Sequence, residues 1–443
     1  MTRLYTIVWL LLASLPSSAT AQKKLNLPRC YQLLLENNLF VREAQNKVSA
    51  EQINKKIVQG NRLPAVAFDL GHYFSFGKNI DPVTNGFVQE AFSGGNMEVG
   101  LELRVFSGFY ALYAARQSSY RVQAAEFARK NVELEKLAGL IRTYARILFN
   151  KEQAGLVRSN IEATTKALEI VNEKINVGKV SKSESYLLTG RLYSEQAGLT
   201  AVQNDSAAAL LQLKQLLNIP YSEEVEVEEI DLLSLAAVSD KPVAAEELME
   251  AVLEKHPAIR QARAAEQVMR MEEKIIRSSL FPSLFVGGNL VSNYSANQKG
   301  GFGQKLAFNR QLNNNLGQNI GISLHVPVFS RGETINRIRK QKLLTEGAHA
   351  ALQETEQELT RQSLQFVNDY NAARQQYKAT AASLELTGLS YSMYEEKSRL
   401  GQVSSLELVA AKDVLNTARS AYLQTKIELY FKYQLLQLLK TGF

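Results

Sequence analysis

Two glutamates in matching positions are the side chains whose type and spacing could do chemistry in this sequence. Each lies six residues after a glycine and three residues after a serine. The two sets are Gly178, Ser181 and Glu184, and Gly401, Ser404 and Glu407. Carboxylates brought together around a symmetry axis would raise one another's pKa and attract cations. A plainer interpretation is open as well, because S-x-x-E is also the spacing of a helix capping box.

The other polar residues form no catalytic or metal-binding pattern. The four histidines fall on two predicted strands and two predicted helices without metal-ligand spacing: His72, His256, His325 and His349. No H-E-x-x-H, phosphate-binding glycine loop or G-x-S-x-G turn occurs in the sequence. We therefore predict that the protein is not an enzyme and uses no cofactor or metal.

The elements that must position the two glutamates belong to a duplicated unit. Arg62-Leu63-Pro64 returns as Leu280-Phe281-Pro282, 218 residues later. Val177-Gly178-Lys179-Val180-Ser181 returns as Leu400-Gly401-Gln402-Val403-Ser404, 223 residues later. A repeat of this length predicts two structural copies of one unit. Phe106-Ser107 also returns at Phe329-Ser330, 223 residues later. The offset therefore changes between the two strands of the unit, and we expect an exposed loop there.

Each copy contains two runs in which apolar and polar residues alternate. We predict strands at about 65–76 and 96–106 in the first copy and at about 283–294 and 318–329 in the second. Such runs are typical of strands with lipid on one face and water on the other. A half-buried strand of a soluble sandwich alternates in the same way. The rest of the chain is predicted to be helical, however, and offers no second sheet to cover the apolar faces.

The helical segments are unusually long and free of proline. Two long helices are predicted at 107–175 and 331–398, and each would span roughly 100 Å at 1.5 Å per residue. Shorter helices, of which Pro257 interrupts the third near its start, would stack in pairs beside them, at about 28–62, 181–218, 246–280 and 404–440. Helices this long belong to coiled-coil assemblies. A strand pair at one end and a helical turn at the other predict a helical tube that continues a barrel.

Four strands cannot close a barrel, since the smallest outer-membrane barrels use eight. The chain must therefore oligomerise, and the strand count alone allows a dimer or a trimer. The alternative to a membrane barrel is a soluble periplasmic coiled-coil adaptor or scaffold protein. Its strands would belong to small sandwich domains flanking one hairpin, whereas here strand pairs bracket each hairpin in a duplicated order.

The first residues and the composition of the chain indicate an exported protein and argue against a nucleic-acid-binding protein. Arg3, the apolar stretch 4–13 and Ala19-Thr20-Ala21 predict a secretory signal peptide at 1–21. The net charge of +7 comes from Lys and Arg interleaved with Glu along the helices, which argues against a nucleic-acid partner. The single cysteine, Cys30, leaves no internal disulfide.

We divide the remaining chain into a first repeat, an acidic linker at the waist of the tube and a second repeat. Their predicted bounds are 22–220, 221–245 and 246–443. Val225 and Val227 alternate with glutamates inside the linker and could form a short strand.

Two motifs carry a resemblance to a known family. They are the strand-to-helix box Val326-Pro327-Val328-Phe329-Ser330-Arg331-Gly332 and the turn Arg399-Leu400-Gly401-Gln402-Val403-Ser404. Together with the duplication, they resemble the outer membrane efflux proteins, the TolC-like export channels of Gram-negative bacteria. The resemblance covers essentially the whole chain after residue 21. It implies a mainly α-helical fold with a transmembrane β-barrel. Each chain would contribute two long-helix hairpins and four strands to a trimeric, twelve-stranded barrel continued by a coiled-coil tunnel.

The resemblance also implies a function and a location. The protein would be the outer-membrane channel of a tripartite efflux or type I secretion system. It would be a homotrimer in outer-membrane lipid, with its tunnel in the periplasm. The tunnel would dock onto a periplasmic adaptor (membrane fusion) protein that serves an inner-membrane pump of the RND or ABC type. The channel would give passive exit to substrates that the pump drives.

The turns around the two glycines match the periplasmic tip of the family, where the adaptor docks. The implied docking residues are Gly178, Val180, Ser181, Arg399, Gly401, Val403 and Ser404, and the implied entrance constriction is formed by Glu184 and Glu407. In the TolC channel a basic residue and an aspartate help to lock the tip. Val403 and Ala410 occupy those positions here, so that ionic lock is not carried over.

Overall fold

The computed structural model describes residues 23–80, 83, 85–89, 91–229, 242–299 and 303–441. The predicted signal peptide and the linker residues 230–241 lie outside the described residues. Two units have their own internal contacts. One comprises Met1–Ala44, Arg129–His256 and Glu358–Phe443, and the other comprises Gln45–Ala128 and Pro257–Gln357. No helix among the described residues is long and apolar enough to cross a membrane.

The described elements are mainly helices. The first copy contains β1 (Lys23–Leu25), α1 (Leu27–Asn37), α2 (Leu39–Gly60), β2 (Ala65–Ser75), β3 (Asn79–Ile80), β4 (Phe87–Val88), β5 (Phe92–Ser107), α3 (Tyr110–Asn176) and α4 (Lys182–Leu217). After β6 (Val225–Val227), the second copy contains α5 (Ala245–Lys255), α6 (Pro257–Ser278), β7 (Ser283–Ser295), α7 (Phe308–Asn314), β8 (Gly317–His325), α8 (Glu333–Arg399) and α9 (Ser405–Thr441).

The four longer strands form one antiparallel sheet in the order β2-β5-β7-β8. The register places apolar residues on a common face, since Phe68 lies opposite Val99 and Val99 lies opposite Leu290. This face is open in the single chain, where Phe68 is 64% and Ile320 89% exposed. The other face is polar, and the Asn289 amide donates to the Glu98 carboxylate at 2.8 Å. The predicted alternation therefore describes two real faces of one sheet.

The ends of the strands differ from the sequence-based expectation. β8 stops at His325, because Pro327 has no N–H to donate to a neighbouring strand, so Val326 and Val328 lie outside it. β5 continues to Ser107, and its register shifts between Arg104 and Phe106. This bulge turns the Phe106 side chain onto the apolar face, opposite Leu284. The connections between strands contain the short hairpin β3-β4 and the helix α7, which the sequence did not predict.

The two long helices each contain 67 residues. Both begin two or three residues later than predicted, because a left-handed pair of residues precedes each one. The pair is Gly108-Phe109 (φ +60° and +67°) before α3 and Arg331-Gly332 (φ +51° and +76°) before α8. A Cβ atom on Gly108 would lie 2.3 Å from the carbonyl oxygen of Ser278, so this turn also needs glycine for space.

The prediction of one helix over 28–62 was wrong, because the chain breaks at Asn38. The Asn38 side chain accepts from the amide of Phe40 at 3.0 Å and donates to the carbonyl oxygen of Leu216 at 2.8 Å. Its backbone angles, φ −62° and ψ 128°, are the same as those of His256 in the second copy. An asparagine cap therefore produces in the first copy the break that accompanies Pro257 in the second.

The first unit packs around a buried cluster that ties the acidic linker to the helices. Tyr144 is fully buried there, and its hydroxyl donates to the carbonyl oxygen of Glu228 at 2.7 Å. Strand β6 pairs in parallel with β1, so the short strand suggested at Val225 and Val227 is present. The linker is not merely solvated, because Lys151 forms ion pairs with Glu229 at 2.9 Å and with Glu226 at 3.6 Å.

Candidate functional site: the turns that end the long helices

The first turn, residues 177–181, ends α3 with a glycine in the left-handed conformation. Gly178 has φ +73°. Its amide donates to the carbonyl oxygen of Ile175 at 3.0 Å, and the amide of Lys179 donates to that of Lys174 at 2.9 Å. This pair of bonds is a Schellman motif, which satisfies the last carbonyl groups of a helix.

The second turn, residues 400–404, repeats this geometry at the end of α8. Gly401 has φ +70°, its amide donates to Ser398 at 3.0 Å, and the amide of Gln402 donates to Lys397 at 2.9 Å. Both glycines therefore adopt the left-handed conformation that favours this residue type. We call these two segments the tip turns.

The capping box predicted at the start of the returning helix is complete in the second copy. The Ser404 amide donates to the Glu407 carboxylate at 2.8 Å, and the Glu407 amide donates to the Ser404 hydroxyl oxygen at 3.2 Å. The backbone amide and then the hydroxyl of Ser404 lower the pKa of Glu407. Glu407 therefore stays ionised at neutral pH while its side chain is exposed.

In the first copy the same spacing gives a different cap. The Ser181 hydroxyl oxygen accepts from the amide of Ser183 at 3.2 Å, and the Glu184 amide donates to the Ser181 carbonyl oxygen at 3.1 Å. Among the described residues no bond joins the Glu184 carboxylate to Ser181, so the predicted box does not form there. The Glu184 carboxylate is thus not committed to capping.

The residues beside the glycines fall into an exposed group and a packed group. Arg399 is exposed, and so are the apolar residues Val177 and Leu400, which directly precede the glycines. Val180 packs against a cluster of buried side chains from α3, α4 and α9: Val171, Leu188 and Val409. The tip turns therefore present basic and apolar side chains to solvent above a fixed apolar base.

Sequence reasoning missed the ion pair that joins the two returning helices. The two terminal nitrogens of Arg191 on α4 bind the two carboxylate oxygens of Asp413 on α9. The Arg191 Nε also donates to Glu195 at 2.9 Å, and the Thr164 hydroxyl donates to the same carboxylate at 3.1 Å. Arg191 and Asp413 are 222 residues apart. The one sequence feature that relates them is that they occupy nearly equivalent positions in the two copies.

Further polar contacts hold α3 against α9. Asn416 donates to the side-chain oxygen of Asn160 at 2.6 Å, and Ser420 donates to that of Gln153 at 2.7 Å. Among the described residues no group of three or more His, Cys, Asp or Glu side chains could hold a metal ion. What the site offers is an exposed polar and apolar surface with two carboxylates, on helices cross-linked by ion pairs and amide contacts.

Comparison with known proteins gives matches along most of the chain. A model of the family described as "Outer membrane efflux protein" matches residues 30–218 and 248–439. The "Pyoverdine export outer membrane protein OpmQ" of Pseudomonas aeruginosa is 23% identical over 358 residues, which are 79% of this chain and 71% of that protein. The "Alkaline protease secretion protein AprF" of the same organism is 19% identical over 418 residues, 90% of this chain and 80% of that protein.

A solved structure shares the fold. The CmeC outer membrane channel of Campylobacter jejuni has a TM-score of 0.77 and 17% identity, and the match covers 94% of this chain and 85% of that one.

Proposed function

Because this chain belongs to the outer membrane efflux protein family, we propose that it is the outer-membrane channel of a tripartite efflux or type I secretion system. The protein is an efflux channel of the outer membrane and extends into the periplasm. In our proposal an inner-membrane pump of the RND or ABC type drives substrates through a periplasmic adaptor (membrane fusion) protein. This chain then gives them passive exit. The names of the two relatives support an export role, since one concerns pyoverdine export and the other protease secretion.

The open edges of the sheet support assembly with neighbouring copies, and we propose a homotrimer. Among the described strands, β2 and β8 each pair with one neighbour within the sheet. Because they run in opposite directions, β8 of one copy can pair antiparallel with β2 of the next. Three copies joined in this way give twelve strands, with the exposed apolar face toward lipid and the face of Glu98 and Asn289 toward water. The helices that follow the strands would then form the tunnel.

The tip turns are the proposed docking surface for the adaptor. Gly178, Gly401, Ser181 and Ser404 set the backbone of the turns. Arg399 and Val403 supply basic and apolar contacts, and Val180 packs against the buried cluster and holds the first turn in place. Val177 and Leu400 are apolar and exposed. Exposed apolar surface of this kind is typical of a site that binds another protein. Two tip turns per chain would present six around a threefold axis.

The proposed entrance constriction consists of Glu184 and Glu407. The cap lowers the pKa of Glu407, so this carboxylate carries a negative charge at neutral pH. Three copies of each carboxylate around an axis would attract cations. In this role the protein catalyses no reaction and holds no cofactor.

The soluble adaptor alternative has no observation in its favour. An adaptor would place its strands in separate small domains beside one hairpin. Here the strands of both copies join in a single sheet through the pairing of β5 with β7, which is the single observation that carries the channel proposal.

Two measurements test the proposal. The protein should fractionate with the outer membrane, require detergent for extraction and give stepwise conductance in planar lipid bilayers. A photo-cross-linking residue placed at Val403 should capture a periplasmic protein in intact cells, whereas the same residue at the exposed control position Leu343 should not. Absence of conductance from a pure, folded preparation would contradict the channel. Equal capture at both positions would contradict docking at the tip.

A further inference from the structure

The edge of β5 that faces β2 is left open near the end of the sheet. β2 begins at Ala65, which pairs with Glu102, whereas β5 continues to Ser107. The other edge of this last part of β5 is occupied, since Leu103 pairs with Val286 and Ser107 pairs with Ser283. A groove of about 610 Å³ results between the end of α2, the end of β5 and the start of α3. We call it the junction groove.

One wall of the junction groove is apolar and aromatic. Leu63 is 70% and Phe109 54% exposed in the single chain. The rings of Phe106 and Phe109 meet edge to face with their centroids 5.5 Å apart. Because the bulge in β5 places Phe106 on the apolar face of the sheet, this wall continues the face that we assign to lipid. Tyr110 and Leu112 also belong to this wall, whereas Glu102 and Arg104 line the polar side of the groove.

One cation in the groove lacks a carboxylate partner. The Arg62 guanidinium donates to the carbonyl oxygen of Ala111 at 2.7 Å, which fixes its position across the groove. Among the described residues no carboxylate forms an ion pair with Arg62. A guanidinium has five N–H donors in a planar fork that matches a phosphate group, and a single bond to Ala111 leaves the others for a ligand.

The second copy does not repeat this combination. There Leu280-Phe281-Pro282 stand in place of Arg62-Leu63-Pro64, so an apolar residue replaces the arginine. The arginine of the groove is therefore particular to the first copy.

We propose that the junction groove binds an anionic phospholipid of the surrounding membrane. The Arg62 guanidinium binds the phosphate, and an acyl chain lies along Leu63, Phe106 and Phe109. Membranes place Arg and aromatic side chains at the boundary between headgroups and acyl chains, which is where a strand passes into a periplasmic helix. This inference rests on the membrane position of the sheet given under the proposed function.

The charge of Arg62 and the apolar wall together determine which ligand the groove would bind. Free phosphate would use Arg62 but leave the aromatic wall exposed to water. A zwitterionic lipid would bring a second, positive headgroup charge near the guanidinium. An anionic lipid such as phosphatidylglycerol satisfies both parts of the groove.

Native mass spectrometry of the detergent-purified protein, with added phosphatidylglycerol or phosphatidylcholine of the same acyl chains, tests the site. We expect the wild-type protein to bind phosphatidylglycerol more tightly, and inorganic phosphate at equal concentration not to displace it. Arg62→Gln should weaken phosphatidylglycerol binding roughly tenfold or more, because a hydrogen-bonded charge is lost. Phe106→Ala should weaken the binding of both lipids. Arg337→Gln, which removes an exposed arginine of α8 outside the groove, should change neither.

The outcomes separate this site from the channel itself. If Arg62→Gln does not fold, Arg62→Lys, which keeps the charge, must retain the preference for phosphatidylglycerol. Equal binding of the two lipids by the wild-type protein would overturn the proposal, and so would an unchanged preference in a folded Arg62→Gln. A preparation that conducts and has the mass of three copies but shows no lipid preference would refute the groove alone. A preparation that neither conducts nor assembles would refute the proposed function.

Discussion

Arg191 and Asp413 face each other fork to fork and join the returning helices of the two hairpins. The pair is partly buried, with 25% of the arginine and 44% of the aspartate side chain exposed. A two-bond contact of this kind fixes geometry as well as supplying energy. The structure therefore places a specific link between α4 and α9 next to the proposed entrance.

Removing this link should loosen the tip. We expect Asp413→Asn to lower the stability of this region by about 1–3 kcal/mol, because a charge-assisted, two-bond contact is lost. Thermal unfolding in detergent and limited proteolysis of α4 and α9 would measure the effect. Asp205→Asn is the matched control, since its pair with Arg146 at 3.4 Å is exposed on both sides and should contribute less than about 1 kcal/mol. Equal effects of the two variants would contradict a special role for the Arg191–Asp413 pair.

The entrance glutamates should control ion selectivity. We expect the double variant Glu184→Ala and Glu407→Ala to reduce cation preference and block by divalent cations in single-channel recordings, because the negative ring is lost. Glu162→Ala removes an exposed glutamate of α3 that is paired with Lys166 at 2.7 Å, and it serves as the control. Unchanged selectivity and block in the double variant would remove these residues from the constriction.

The cap at Glu407 predicts a pH dependence. Hydrogen bonds from Ser404 lower the pKa of Glu407 below its ordinary value of 4.5. A carboxylate with a lowered pKa stabilises the folded state above its unfolded pKa, and this contribution disappears as the pH falls through the folded pKa. The thermal midpoint of Glu407→Ala should therefore be below that of the wild-type protein at pH 7, and the two should converge in acid. Glu184→Ala, whose carboxylate makes no bond to Ser181, should show a smaller difference. A difference that persists at low pH would show that the carboxylate charge is not responsible.

The break between α5 and α6 predicts a second loss of stability in acid, which begins at a higher pH than that of Glu407. Burial lowers the pKa of His256 from its ordinary value of 6.5. The unfolded chain then takes up a proton more readily than the folded one, so stability falls as the pH drops below about 6.5 toward the folded pKa. His256→Asn copies Asn38 and should remain folded near pH 8 while losing less stability than the wild-type protein at pH 5. Thermal midpoints at the two pH values would measure this. The same loss in both proteins would exclude His256 as the cause.

The sequence predicted the elements whose patterns are local and missed those that depend on distant partners. Alternation along β2 and β5 indicated two faces, because side chains of a strand point alternately to either side. The absence of proline indicated the long helices. The left-handed conformation of Phe109, which delays the start of α3, could not be predicted from its residue type.

At the candidate site, too, local features were predictable and contacts between distant residues were not. The spacing of Gly401, Ser404 and Glu407 was sufficient to predict the turn and the cap. Identical spacing at Ser181 and Glu184 gave a different cap, so spacing alone did not determine the bond. The break at Asn38 was not predictable, since its amide binds Leu216 in a helix 178 residues away, and the Arg191–Asp413 pair was missed for the same reason.

The most direct test of the account is the native mass of the detergent-solubilised protein together with its conductance in a planar bilayer. We expect three copies of the chain and one stepwise conductance for each assembly, because three chains of four strands each would close the proposed twelve-stranded barrel. A folded monomer, or an assembly of any other number of copies, would contradict the shared twelve-stranded channel.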